Sequence, residues 1–268
     1  MIDPSVQCPS EERPLVSDCP GYKVLGVRVH AVQIPDVVAE MEGWIANRSR
    51  CHFIAVTGMH GVTEAQHDPK FKKILNSADL VVPDGMPLVW LGRFHGRKLR
   101  RRVYGPELME SFFQATRSKY RHFFYGGLPG VSTRLGQLMR EKYEIKVVGE
   151  YSPPFRALSP QEDDEVVARI HAAQPDIIWV GLSTPKQERW MYEHRTRLRV
   201  PVAVGVGAAF DLNSGSAKQA PRWMREHGLE WSFRLLQEPR RLWRRYLVYG
   251  SEFVWSVASE LLSLRQFD

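Results

Sequence analysis

The sequence predicts an α/β fold: a mostly parallel, Rossmann-like sheet flanked by helices, followed by a C-terminal helical appendage rich in Arg and Trp. Three observations predict it. Short apolar runs recur between helical stretches of about ten to fifteen residues, as βαβ units require. Several of these runs stop at a glycine turn that leaves one polar residue at the tip. From Pro221 the strand-like runs cease, and Arg222, Arg225, Arg234, Arg240, Arg241, Arg244 and Arg245 crowd beside Trp223, Trp231 and Trp243.

The elements follow in order. Residues 1–21 are rich in Pro, Ser, Glu and Asp and read as a flexible leader. Val24–Val32 reads as one or two short strands, and Asp36–Asn47 as a helix. A strand at Phe53–Thr57 precedes a helix from about Val62 to Asn76. A strand at Leu80–Val82 precedes helical stretches over Leu88–Phe94 and Pro106–Lys119. A strand at His122–Tyr125 precedes a helix over Val131–Tyr143, and one at Ile145–Val148 precedes a Pro-rich loop and a helix over Pro160–Ala173. Ile177–Val180 leads into a helix over Pro185–Leu198, and Val202–Val206 is the last strand. The α/β core then spans 22–218 and the appendage 219–268. Tyr246–Leu264 reads as one amphipathic helix with Leu247, Phe253, Val254, Val257, Leu261 and Leu264 broadly on one side.

Bulk properties narrow the classes. The chain has 268 residues, 43% apolar and 25% charged, enough for a sizeable core. Its net charge of +7 suits nucleic acid, an anionic membrane or a phosphorylated substrate without choosing among them. Cys8, Cys19 and Cys51 are odd in number and lack metal-ligand spacing, which points to a reduced, cytoplasmic setting. There is no secretion signal, and no uncharged apolar run reaches the roughly 20 residues of a membrane span.

The chemistry centres on two strand ends, Ala55–Val62 and Ala78–Met86, whose polar tips are Thr57 and Asp84. In open parallel sheets ligands bind beyond the carboxyl ends of strands. A carboxylate there, flanked by Pro83 and Gly85, is placed to take a proton from a bound hydroxyl. The competing reading is an ordinary Asp-Gly turn, and Thr57 equally fits a helix cap. Three glycine turns follow strands: Phe124–Gly130 with Gly126, Gly127 and Gly130; Val180–Glu188; and Val204–Asp211 with Gly205 and Gly207. None is a dinucleotide or phosphate-loop fingerprint, but three in succession favour a nucleotide-type ligand. Lys186 fits a phosphate contact or a solvated side chain. Asp211 fits a ribose or uracil contact or a backbone turn. The basic run Arg97–Arg102 reads as a solvated face or a membrane contact.

In combination, Thr57, Pro83-Asp-Gly85, Gly126-Gly-x-Pro-Gly130, Pro185-Lys-Gln-Glu188, Gly205-Val-Gly-x-x-Phe-Asp211, Ala220-Pro-x-Trp223, Gly228-Leu-Glu-Trp231 and Glu238-Pro-x-Arg241 resemble the WecG/TagA/CpsF glycosyltransferases, glycosyltransferase family 26. The resemblance spans about residues 22–250. It implies an inverting transfer of a sugar from a UDP-sugar to a polyprenyl-diphosphate-linked sugar, in cell-wall, capsule or exopolysaccharide assembly. It also implies a cytoplasmic, peripheral protein on the anionic inner face of the plasma membrane, with no metal or other cofactor and no nucleic-acid partner, and it admits a homo-oligomer. On this resemblance Asp84 is the base, and Thr57 and Gln187 join it. Gly85, Gly126, Gly127, Gly130, Lys186, Gly205, Gly207 and Asp211 attend the nucleotide sugar. Arg234, Arg241, Arg244 and Arg245 attend the diphosphate and lipid.

The chain departs from the family pattern at Gly58-Met-His-Gly61, where His60 stands near a common asparagine's place, and at Gly105-Pro-Glu-Leu108, where Glu107 holds the acidic position. His60 fits a structural role, a substrate contact or a base alongside Asp84, and Glu107 fits a substrate contact; the departures leave N-acetylmannosamine and a glucose-type hexose both open as donor sugars. Two other classes compete: an NAD-type oxidoreductase, which lacks its fingerprint glycines here, and a basic nucleic-acid-binding module, which lacks a recognised motif.

Overall fold

The computed structural model describes residues 21–262, so the leader expected at the N-terminus and Leu264 lie outside the described residues. The chain begins with an antiparallel hairpin of β1 (Tyr22–Val24) and β2 (Val27–Val29). α1 (Ile34–Asn47) follows, its start fixed by the Asp36 carboxylate accepting from the Gln33 amide at 2.9 Å. Then come β3 (His52–Thr57), α2 (Met59–His67), α3 (Pro69–Asn76), β4 (Leu80–Pro83), α4 (Met86–Phe94) and α5 (Gly105–Thr116). Next are β5 (Arg121–Gly126), α6 (Val131–Tyr143), β6 (Lys146–Tyr151), α7 (Pro160–Ala173), β7 (Ile177–Gly181), α8 (Lys186–His194), β8 (Val202–Gly205) and α9 (Ala209–Asn213).

The helix expected over Val62–Asn76 is two helices. Pro69 cannot continue a helix, and the Asp68 side chain accepts from the Lys70 and Phe71 amides to start a new one.

β3 to β8 form one six-stranded sheet in the order β4-β3-β8-β7-β5-β6, parallel at every pairing. Both its faces are covered, which explains why the strands read as continuous apolar runs. Side chains alternate between the faces. Phe53, Ala55, Val81, Phe123, Tyr125, Ile178 and Val180 enter one core, beneath α2, α3, α7 and α8. Ile54, Val56, Leu80, Val82, Phe124, Ile177 and Trp179 enter the other, beneath α1, α5, α6 and α9.

The appendage comprises α10 (Arg222–Glu226), α11 (Glu230–Gln237), α12 (Pro239–Trp243), a π-helical turn over Arg244–Val248 and α13 (Tyr249–Leu261). α13 lies along α2: Phe253 is buried in the first core, the Thr63 hydroxyl donates to the Tyr249 carbonyl at 3.5 Å, and His67 bonds Glu252. The single apolar face expected for this helix is divided. Phe253 and Val257 pack inward, whereas Leu247, Val254, Trp255 and Leu261 face outward. No helix among the described residues is long and apolar enough to cross a membrane.

Candidate active site

The carboxyl ends of β4, β3, β8 and β7 are adjacent in the sheet, and the loops leaving them meet α11 and α13 around one cavity of about 600 Å³. Its floor is built by close backbone approach. The Asp84 amide donates to the Thr57 carbonyl at 2.8 Å, and a Cβ on Gly58 would lie 2.5 Å from the Asp84 carbonyl oxygen. Only glycine at 58 lets the two strand ends come this near, and so places Asp84 on the wall. Gly85, Gly207 and His60 line the same cavity.

Burial raises the Asp84 carboxyl from 3.8 to about 6. Glu230 adds to the rise, while Arg102, Arg245 and Arg234 oppose it. Arg234 comes from α11 and Arg245 from the π-helical turn, and both line the cavity. Burial lowers the Arg245 pKa, and its Nε has no partner.

Further buried polar groups lie without partners at this end of the sheet. They are Thr57 Oγ1, Gln187 Oε1, Glu188 Oε2 and His60 Nδ1. Gln187 is oriented by its neighbour: its Nε2 donates to Glu188 Oε1 at 3.0 Å, which also accepts from the Thr184 hydroxyl at 2.8 Å. That leaves the Gln187 carbonyl oxygen as a free acceptor beside Gly207. His60 stacks on Tyr249 of α13 with centroids 5.3 Å apart, and burial with the charge of Arg245 lowers its pKa to about 3, so the ring is neutral. Unsatisfied buried polar groups are costly, and their gathering at one end of the sheet makes this a candidate ligand site.

Several expected residues lie elsewhere. Glu107 pairs with Arg225 at 2.9 Å and does not line the cavity. Arg241 and Arg244 are exposed, Arg241 paired with Glu238 and Arg244 beside the Trp243 ring. Lys186 is exposed on the outer side of α8. Asp211 is half-buried and outside the cavity, its carboxyl raised by burial. Gly126 ends β5 and Gly127 and Gly130 follow it, one strand beyond those whose loops line the cavity, and a Cβ on Gly126 would strike the Gly181 backbone at 2.5 Å. Gly205 likewise makes room, for Met191 and Gln187.

The sequence reading missed three residues. Arg102, expected on a solvated face, turns inward and salt-bridges Glu230 of α11, with side chains 12% and 10% exposed. The Tyr104 hydroxyl donates to Glu230 at 2.7 Å, and the Arg102 guanidinium lies 4.0 Å over the Tyr104 ring. The only sequence signal was Glu230 within Gly228-Leu-Glu-Trp231, which carried no assigned role. Among the described residues no group of three His, Cys, Asp or Glu side chains is placed to hold a metal.

Comparison with known proteins gives the family. The family model described as "Glycosyl transferase WecG/TagA/CpsF family" matches residues 22–267. An N-acetylglucosaminyldiphosphoundecaprenol N-acetyl-beta-D-mannosaminyltransferase of Bacillus spizizenii is 32% identical over 217 residues, covering 80% of this chain and 82% of its own. Proteins of the same name from Bacillus subtilis and Staphylococcus aureus are 32% and 27% identical, covering 67% and 82% of this chain and 69% and 86% of their own. The relatives are named as transferases rather than oxidoreductases, and the chain belongs to the WecG/TagA/CpsF family of glycosyl transferases.

Proposed function

We propose that this chain is an inverting glycosyltransferase that moves a sugar from a UDP-linked donor to a sugar carried on a polyprenyl diphosphate at the cytoplasmic face of a membrane. The observation that carries the reading is the Asp84 carboxylate at a strand end, sharing a cavity with Arg102, Arg234 and Arg245, while the second carboxylate there, Glu230, is tied up by Arg102 and Tyr104. Asp84 takes the proton of the acceptor hydroxyl as that oxygen bonds to the donor's anomeric carbon. The bond from that carbon to the diphosphate breaks, and UDP leaves from the opposite face with the electron pair. The charge gathering on the leaving diphosphate is the largest change in the step, so its stabilisation dominates. Arginine forks suit two phosphates, and in this proposal they take the part a metal plays elsewhere.

A carboxyl titrating at about 6 is mostly ionised at neutral pH yet basic enough to accept a proton in the transition state. Thr57, Gln187 and His60 offer hydroxyl, carbonyl and imidazole acceptors or donors to sugar groups. The names of the relatives favour N-acetylmannosamine as the donor sugar and N-acetylglucosaminyl-diphosphoundecaprenol as the acceptor. The outward side chains of α13, with Trp255 69% and Val254 65% exposed, suit contact with a lipid surface from which such an acceptor reaches the cavity. The test is incubation with UDP-N-acetylmannosamine, UDP-glucose and other UDP-sugars beside a short-chain prenyl-diphosphate N-acetylglucosamine, with products read by mass spectrometry. A product one sugar heavier is expected; no transfer from any of the donors refutes the reading.

A further inference from the structure

Glu230 is a carboxylate in the wall of a cavity that otherwise presents Asp84 and arginines. It is the first residue of α11 and so belongs to the appendage, whereas both groups that grip it belong to the core loop before α5. Arg102 Nη2 bonds one carboxylate oxygen and the Tyr104 hydroxyl the other, so both oxygens are engaged inside the protein. Without α11 in place, Arg102 would face Asp84 with no competing acid from the appendage. A direct ion pair there would hold the carboxylate ionised and weaken it as a base.

We infer that Glu230 is a positioning residue: it clamps Arg102 from across the cavity wall and so keeps Asp84 an effective base. The charged groups acting on Asp84 are Arg102 from the core loop, Glu230 and Arg234 from α11, and Arg245 from the π-helical turn, with the Tyr104 hydroxyl beside them. Of these Glu230 is the one acid, and it offsets the Arg102 guanidinium bonded to it. This deepens the transferase reading, because it rests on Asp84 as the base.

The test reads Asp84 directly. In protein carrying carbon-13 at aspartate carboxyls, the Asp84 signal is identified by its loss in Asp84→Asn, and it is titrated without substrate. Glu230→Gln is expected to move that titration down by about one pH unit or more, Arg102→Gln to move it up by a similar amount, and Glu230→Asp to leave it near wild type. Shifts of the same sign, or none, overturn the proposal. If Glu230→Gln does not fold, the double variant Arg102→Gln/Glu230→Gln, which leaves neither charge unpaired, decides: it should titrate as Arg102→Gln alone, and a clearly lower titration would mean that Glu230 does not act through Arg102 and overturns the proposal. In turnover assays the acid limb of kcat/KM should follow the same shifts. The titration needs no substrate, so opposed shifts in a protein that transfers no sugar would sink the transferase reading and leave the clamp standing.

Discussion

Replacing Asp84 by Asn keeps the side chain's shape and removes its charge, so it separates catalysis from binding. As a general base the group is expected to contribute about 10²- to 10⁴-fold to turnover, and kcat should fall by that factor. Affinity for UDP should hold or rise, because the variant removes a negative charge from a cavity that receives two phosphates. Stability should move the other way. Burial raises the carboxyl from 3.8 to about 6, so the folded state holds this proton more tightly than the unfolded chain. Wild type therefore loses stability as pH rises from about 4 to about 6 and stays at the lower level above. The full shift corresponds to about 3 kcal/mol, and screening by water in the open cavity reduces the working figure to about half. The Asn variant has no such loss, so at pH 7 it should melt a few degrees higher, about 2–4 °C per kcal/mol, with the difference gone below about pH 4. The assays are kcat with the active donor, UDP titration calorimetry, and thermal melts at pH 4 and 7. Turnover within a few fold of wild type, UDP binding lost together with turnover, or a melting difference that ignores pH would each refute the reasoning.

The remaining expectations concern the surroundings of that carboxylate. Arg234→Ala and Arg245→Ala should each weaken UDP binding by about 10- to 100-fold, the worth of a charged hydrogen bond. Arg240→Ala, exposed on α12, should leave binding unchanged in the same calorimetry. Gly126→Ala puts a Cβ 2.5 Å from the Gly181 carbonyl oxygen at a φ of +127°, so it should destabilise by about 2 kcal/mol or more in denaturant melts. UDP affinity of the folded fraction should stay intact, and a selective loss of UDP binding would return this turn to the nucleotide site. Trp255→Glu with Leu262→Glu removes two outward apolar groups. Each is worth about 1.5–3 kcal/mol on burial, so sedimentation with anionic vesicles should drop at least tenfold without change in UDP binding.

The acid behaviour of the core was not legible in the sequence. His122 is fully buried among Phe112, Phe113 and Trp179, accepts from the Trp179 indole, and burial lowers its pKa to about 3. The unfolded chain binds that proton more readily, so His122 costs stability as pH falls below about 6.5. From sequence His122 was only a polar residue at the start of an apolar strand, because nothing local shows what packs around it.

The sequence by itself determined what depends on short-range chemistry. Alternation of apolar runs and helical stretches fixed the strands, as in Ile177–Gly181, and proline with capping residues fixed helix ends such as Pro160–Ala173. Glycines beside a polar tip pointed to Asp84 and Thr57, since the carboxyl ends of the strands in a parallel sheet lie on one side; Asp84 lines the cavity there and Thr57 is buried at the same end. Tertiary structure alone decided which turns share a cavity. The order β4-β3-β8-β7-β5-β6 puts the loops after β3, β4, β7 and β8 together and leaves Gly126–Gly130 to one side. It also decided which arginines turn inward. Arg102 and Glu230 are 128 residues apart, and Arg245 differs from Arg244 only by where one helical turn points it. Composition gives the number of charges on a segment, but the side of the helix each one occupies, and the acid it meets there, follow from how the appendage packs on the sheet.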